Sequence, residues 1–162
     1  MIGWLHGSVR ARTDDKLIVA VGGVGYVVHV PLGAGAHLEL EAEIDLHVHT
    51  HVREDSLQLF GFETSAALET FETLIKVSGV GPRLAQAILG SLDTDALAAA
   101  IDLGDIAALK KVPGVGKRVA ERLSLELRGK LRSGASAIDG APIAHRLAAG
   151  GVWRDLESAL MN

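Results

Sequence analysis

The chain has no cysteine, so neither a disulfide framework nor a thiolate metal site is available to it. It has no apolar run approaching the roughly 18–20 residues that span a bilayer. Its first residues, Met-Ile-Gly-Trp-Leu-His, lack the basic and continuously apolar regions of a secretory signal. A cytoplasmic protein without a membrane partner is the expectation. Catalytic constellations are missing too. No nucleophile–base pair stands at a defensible spacing, and no paired carboxylates suggest metal-dependent nuclease chemistry. The stretch GGVGY at 22–26 has neither the GK[ST] ending nor the following helix of a phosphate loop, and reads as a strand turn.

What is present is ordinary globular material. Hydrophobic residues make up 48% of the 162 residues and charged ones 22%, which argues against wholesale disorder and suffices for two small domains. The formal net charge of −4 taken alone argues against a nucleic-acid partner. Its distribution reverses that. Residues 1–63 hold four Lys/Arg against nine Asp/Glu, whereas 64–132 hold ten against eight. Within 110–132 the basic residues number eight against two acidic, an electrostatic footprint suited to a DNA backbone.

The pattern along the chain predicts an α+β protein of two domains. Residues 1–63 read as strands: LIVAV at 17–21, YVVHVPL at 26–32, Leu38–Glu41, Leu46–His49 and Gln58–Phe62 are β-branched or alternate apolar with polar. Five or more short strands with glycine-rich turns predict a small closed barrel or sandwich. At Thr64 the period changes. A helix over Ala66–Val77 follows, and to residue 132 the text is a set of short helices broken at 79–82, 90, 104 and 113–116. Residues 133–151 are small and Gly/Ser/Ala-rich, a flexible linker, and 152–162 have length for a short helix only.

The informative feature is an internal repeat. LIKVSGVGPRLA at 74–85 aligns with LKKVPGVGKRVA at 109–120 at an offset of 35, with eight of twelve positions identical. Each copy reads as a helix, a two-glycine turn and a second helix. Gly79 and Gly81, like Gly114 and Gly116, permit backbone conformations that other residues avoid and let backbone N–H groups approach a phosphate at a helix N-terminus. Val80, and Val115 in the second copy, can turn inward and pin the turn. Arg83, Lys117, Arg118 and Arg122 supply neighbouring charge. Contacts of this kind grip the backbone without reading bases.

The helical half resembles tandem helix-hairpin-helix DNA-binding modules. The order MIGWLHGSV, GGVGYVVHVP, VREDSLQLFGF, SGVGPRLA and PGVGKRVAERLSLEL resembles the RuvA family of bacterial Holliday-junction-binding proteins, over about residues 1–132. The resemblance implies an OB-fold β-barrel followed by an all-α tandem hairpin domain. It implies a homotetramer that holds a four-way junction open and square, with tetramer and face-to-face octamer both open. It also implies a hexameric ATPase partner, RuvB, that drives branch migration in recombination, DNA repair and the SOS response, and the resolvase RuvC as a further partner. Hydrolysis would belong to RuvB, so the chain itself is expected to be no enzyme and to need no cofactor. By the same resemblance Glu54 and Asp55 form an acidic pin at the centre of the plate, keeping strands apart, and Arg53 offers a crossover phosphate contact. The family ends in a third domain that docks the motor, and WRDLESALMN at 153–162 looks like its opening helix alone.

Two other classes compete. Double hairpin modules also occur in nucleases and ligases, and a barrel with structural hairpins could be an assembly scaffold that binds no DNA. His47, His49 and His51 alternate and would share a strand face, but polar positions on an exposed face account for them without a metal.

Overall fold

The computed structural model describes residues 1–36 and 38–131. The linker assigned to 133–151 and the segment 152–162 lie outside the described residues. Five strands come first: β1 (Trp4–Arg12), β2 (Lys16–Val21), β3 (Val24–His29), β4 (Glu43–Val52) and β5 (Leu57–Phe62). They close into a barrel in the order β1-β2-β3-β5-β4. All neighbours are antiparallel except β3 and β5, which run parallel through Val28↔Leu59 and His29↔Phe60. Alternation fills the interior: Ile44, Leu46 and Val48 point inward from β4 and pack with Val9, Leu17, Val19, Val28 and Leu59.

The sequence reading of this half needs correction at three places. Leu38–Glu41 alternates but is no strand. Leu38 N–H bonds the Gly35 carbonyl, Ala42 N–H bonds that of Glu39, and Glu41 adopts a positive φ of 66°, so the segment winds through turns. Strand β1 lacks a clear sequence pattern, because its buried Leu5 and Val9 lie among Gly7, Arg10 and Arg12. The predicted strand at 26–32 also stops early, at His29, because Val30 N–H bonds the Asp15 carbonyl and Pro31 has no N–H to offer a ladder.

The helices are α1 (Ser65–Leu74), α2 (Pro82–Ser91), α3 (Thr94–Leu103), α4 (Ile106–Leu109) and α5 (Lys117–Leu127). Gly90 does not break a helix as expected. It lies inside α2, where a Cβ would stand 2.8 Å from the backbone nitrogen of Leu32, so a missing side chain lets α2 seat on the barrel's β3–β4 connection. The barrel core and the helical core meet at β5, which contributes to both. Leu59 faces the barrel interior, whereas Phe60 and Phe62 face out and join the helical core, where Phe71 of α1 lies 5.3 Å and 4.9 Å from their ring centroids. Three buried aromatic side chains thus meet at one seam and join the two halves by apolar contact.

Candidate nucleic-acid interface

The identical positions of the repeat divide by burial. Leu74 and Leu109, Val77 and Val112, Val80 and Val115, and Ala85 and Ala120 are all buried. The expected pinning residues do turn inward: Val80 is 4% exposed and Val115 6%, and their N–H groups bond the carbonyls of Val77 and Val112 at 3.0 Å in both copies. The glycines on either side are exposed. Gly79 and Gly114 have φ of 90° and 88°, a left-handed conformation that disfavours any side chain. Gly81 and Gly116 have φ of −87° and −81°, with open space where a Cβ would stand, so nothing in the fold itself requires glycine there.

Those second glycines are the N-caps of α2 and α5. The other helices are closed by side chains: Thr64 Oγ1 accepts from Ala67 N–H, Asp93 Oδ1 from Ala96 N–H and Asp105 Oδ1 from Ala108 N–H, at 3.2, 2.7 and 2.9 Å. At α2 and α5 no side chain caps the helix. Their first-turn N–H groups and positive dipole ends face solvent, an arrangement that accepts an anion. Pro82 occupies the first helical position of α2 and Lys117 that of α5, with Arg83 and Arg118 next; both arginines are exposed. Lys117 Nζ stands 3.8 Å from Glu121 Oε1 on an open face.

The two turns are joined. Arg122 Nη1 of α5 donates to the Ser78 carbonyl in the first turn at 2.8 Å, and its Nε lies 3.6 Å from Glu126 Oε1. Across the same join, a Cβ on Gly114 would stand 3.0 Å from Leu84 Cδ1 of α2. Arg122 is therefore engaged by the protein as well as exposed, a role that no sequence pattern announces because its partner is a backbone carbonyl 44 residues away.

Arg83 also reaches the barrel electrostatically. His29, buried at the end of β3, stacks on Phe60 at 5.3 Å between centroids. Burial first, then the charges of Arg83 and Lys16, hold its pKa below the usual histidine value, with Asp15 opposing them.

Glu54 and Asp55 form the exposed tip between β4 and β5, closed by Arg53 N–H on the Ser56 carbonyl at 2.8 Å. Arg53 folds back along β4, donating from Nε to His51 Nε2 at 3.1 Å. His47, His49 and His51 do share the outer face of β4, but His49 Nδ1 lies 3.0 Å from Glu72 Oε1 of α1, and His51 accepts from Arg53. Burial and the Arg53 charge, with a smaller share from His49, lower the His51 pKa, as expected for a neutral acceptor. Among the described residues no cluster of three or more His, Asp or Glu is placed to hold a metal. Nor is any single described helix long and apolar enough to cross a membrane.

Comparison with known proteins places both halves. Residues 1–61 match the family described as RuvA N terminal domain, and 71–130 match the SAM-like helix-hairpin-helix tandem. The proteins named Holliday junction branch migration complex subunit RuvA from Trichlorobacter lovleyi and Pelobacter propionicus are 44% and 42% identical to this chain over its whole length, covering 82% of each relative. The protein of that name from Laribacter hongkongensis is 48% identical over 85% of this chain and 68% of its own length. An OB-type barrel joined to a tandem helix-hairpin-helix unit, with such identity across both, establishes that this chain belongs to the RuvA family.

Proposed function

We propose that the chain binds four-way DNA junctions selectively by shape and without regard to sequence, as the non-catalytic subunit of a branch-migration complex. The observation that carries this is the pair of GVG turns with exposed glycines, each opening a helix that no side chain caps. Gly79, Val80, Gly81 and Arg83 make the first phosphate grip; Gly114, Val115, Gly116, Lys117 and Arg118 make the second, with Arg122 between them. Backbone N–H groups at a helix end hold phosphate without reading bases, so binding is to duplex backbone. We assign the assembly role to residues 1–63 and the DNA-binding role to 64–132.

Selection of a junction over linear duplex needs a further element, and the Glu54–Asp55 tip is suited to it. Its carboxylates are exposed on a barrel of net negative charge. In a homotetramer they would gather at the crossover and repel phosphates there, with Arg53 as the compensating contact. Hydrolysis of ATP then belongs to a RuvB-type hexameric motor, and a RuvC-type resolvase would act on the square junction. Such a subunit works in the cytoplasm, where a bacterial chromosome lies.

A gel-shift comparison tests the reading. Four-way junction should bind at least about tenfold more tightly than linear duplex at the same salt, a difference of about 1.4 kcal/mol. The E54Q/D55N variant should narrow that gap by gaining duplex affinity. Equal affinities for both DNAs in the unaltered protein would sink the proposal. The mass of the complex, with and without junction, distinguishes tetramer from octamer.

A further inference from the structure

Half of the repeat's identity is explained by packing, because four of its eight identical pairs are buried. The other four pairs all face solvent: two are the glycines of the turns and two are cations, Lys76/Lys111 and Arg83/Arg118. Packing makes no demand on an exposed cation. A neighbouring exposed site of the repeat has diverged, with Ser78 aligned to Pro113, and half-buried Pro82 aligns with exposed Lys117. Lys110 aligns with Ile75 and has no counterpart charge in the first copy. Something other than the core holds Lys76 and Lys111 alike.

Their backbone settings are also alike. Lys76 N–H bonds the Thr73 carbonyl at 3.3 Å, and Lys111 N–H bonds that of Ala108 at 3.1 Å. Each is a tightened bond to the residue three before it, just past the end of the helix that leads into the turn. Each lysine then precedes the positive-φ glycine by three residues. Among the described residues, no hydrogen bond or ion pair engages either ammonium group, in contrast to the nearby Lys117 and Arg122.

We infer that Lys76 and Lys111 are a further pair of phosphate contacts, one on the entry side of each hairpin, opposite Arg83 and Arg118 on the exit side. Each grip then holds a run of backbone between a lysine and an arginine, with the uncapped helix end in the middle. The inference rests on the proposed reading of the turns as phosphate grips. A lysine suits the entry position because a compact ammonium on a flexible stem follows a backbone without fixing its register.

Salt titration of junction binding by the full chain tests it, using Lys76→Gln, Lys111→Gln, their double variant and Lys110→Gln as the charge-matched neighbour. The logarithm of affinity falls with that of salt at a slope set by the number of phosphates neutralised, about 0.9 per contact. K76Q and K111Q should each flatten the slope by at least about that amount, the double variant by about their sum, and K110Q by clearly less. Slopes for K76Q and K111Q no flatter than that of K110Q would overturn the inference while leaving the grips intact. Failure of the unaltered chain to bind DNA at all would overturn the grip reading itself, and this inference with it.

Discussion

The guanidinium of Arg122, on the helix that follows the second hairpin, donates to the Ser78 carbonyl in the turn of the first. One side chain thus ties together the turns before two uncapped helix starts that are 35 residues apart in sequence. Arg122→Ala should cost about 0.5–1 kcal/mol in urea unfolding, as expected for one exposed hydrogen bond to a charged donor. Its effect on junction affinity should exceed that of losing a charge alone. Arg122→Lys keeps the charge but not the planar fork, so it should restore only part of the binding. Full restoration by lysine would show that spacing is immaterial.

The two glycines of the second turn should separate fold from binding. Gly114→Ala places a side chain at φ of 88° and against Leu84, and should lower unfolding free energy by about 1–2 kcal/mol. Gly116→Ser enters open space in an extended conformation that suits an N-cap serine. It should leave thermal stability unchanged or higher, yet weaken DNA binding, because its hydroxyl fills the helix end that a phosphate would occupy. A stable G116S protein with undiminished affinity would remove that helix end from the interface.

Phe71 is the aromatic hub of the seam, touching Phe60, Phe62 and His49. Phe71→Ala should cost about 3–5 kcal/mol, the range for deleting a buried aromatic ring. Because β5 contributes residues to both cores, unfolding of the unaltered protein should be a single transition by both near- and far-ultraviolet circular dichroism. The variant should split it.

His29 gives a pH dependence whose sign is fixed by its lowered pKa. The unfolded chain, with a histidine pKa of about 6.5, takes up a proton in a range where the folded chain resists it. The contribution of His29 to stability is therefore complete above about pH 6.5 and declines as pH falls toward the folded value. Urea midpoints measured between about pH 7.5 and 5.5 should drop, and His29→Gln should flatten that drop. Arg83→Gln should raise the His29 pKa, followed by the NMR shift of its ring protons, because it removes the neighbouring positive charge that lowers it most.

The sequence made the hairpins legible because both their buried and exposed halves are duplicated, and the period of buried residues survives in each copy. The barrel was less so. Strand β1 carries Gly7 and two arginines, and its outward residues make no clean alternation, so its membership is decided by pairing with β2 and β4. Leu38–Glu41 shows the reverse, a period of two too short to outweigh the turns that Glu41 and its neighbours form. Gly90 reads as a break because glycine is poor in helices, whereas contact with Leu32 is visible only in three dimensions. The link from Arg122 to Ser78 and the proximity of Arg83 to His29 are likewise products of tertiary packing.

The first helical position of α2 is Pro82, and that of α5 is Lys117. The duplicated grips are therefore not equivalent. The second carries one more cation at the start of its helix, and the first carries a ring with neither charge nor N–H. On the proposed reading, a duplex drawn across the tandem would meet a stronger and a weaker grip in a set order, which would give a sequence-blind holder a polarity of its own.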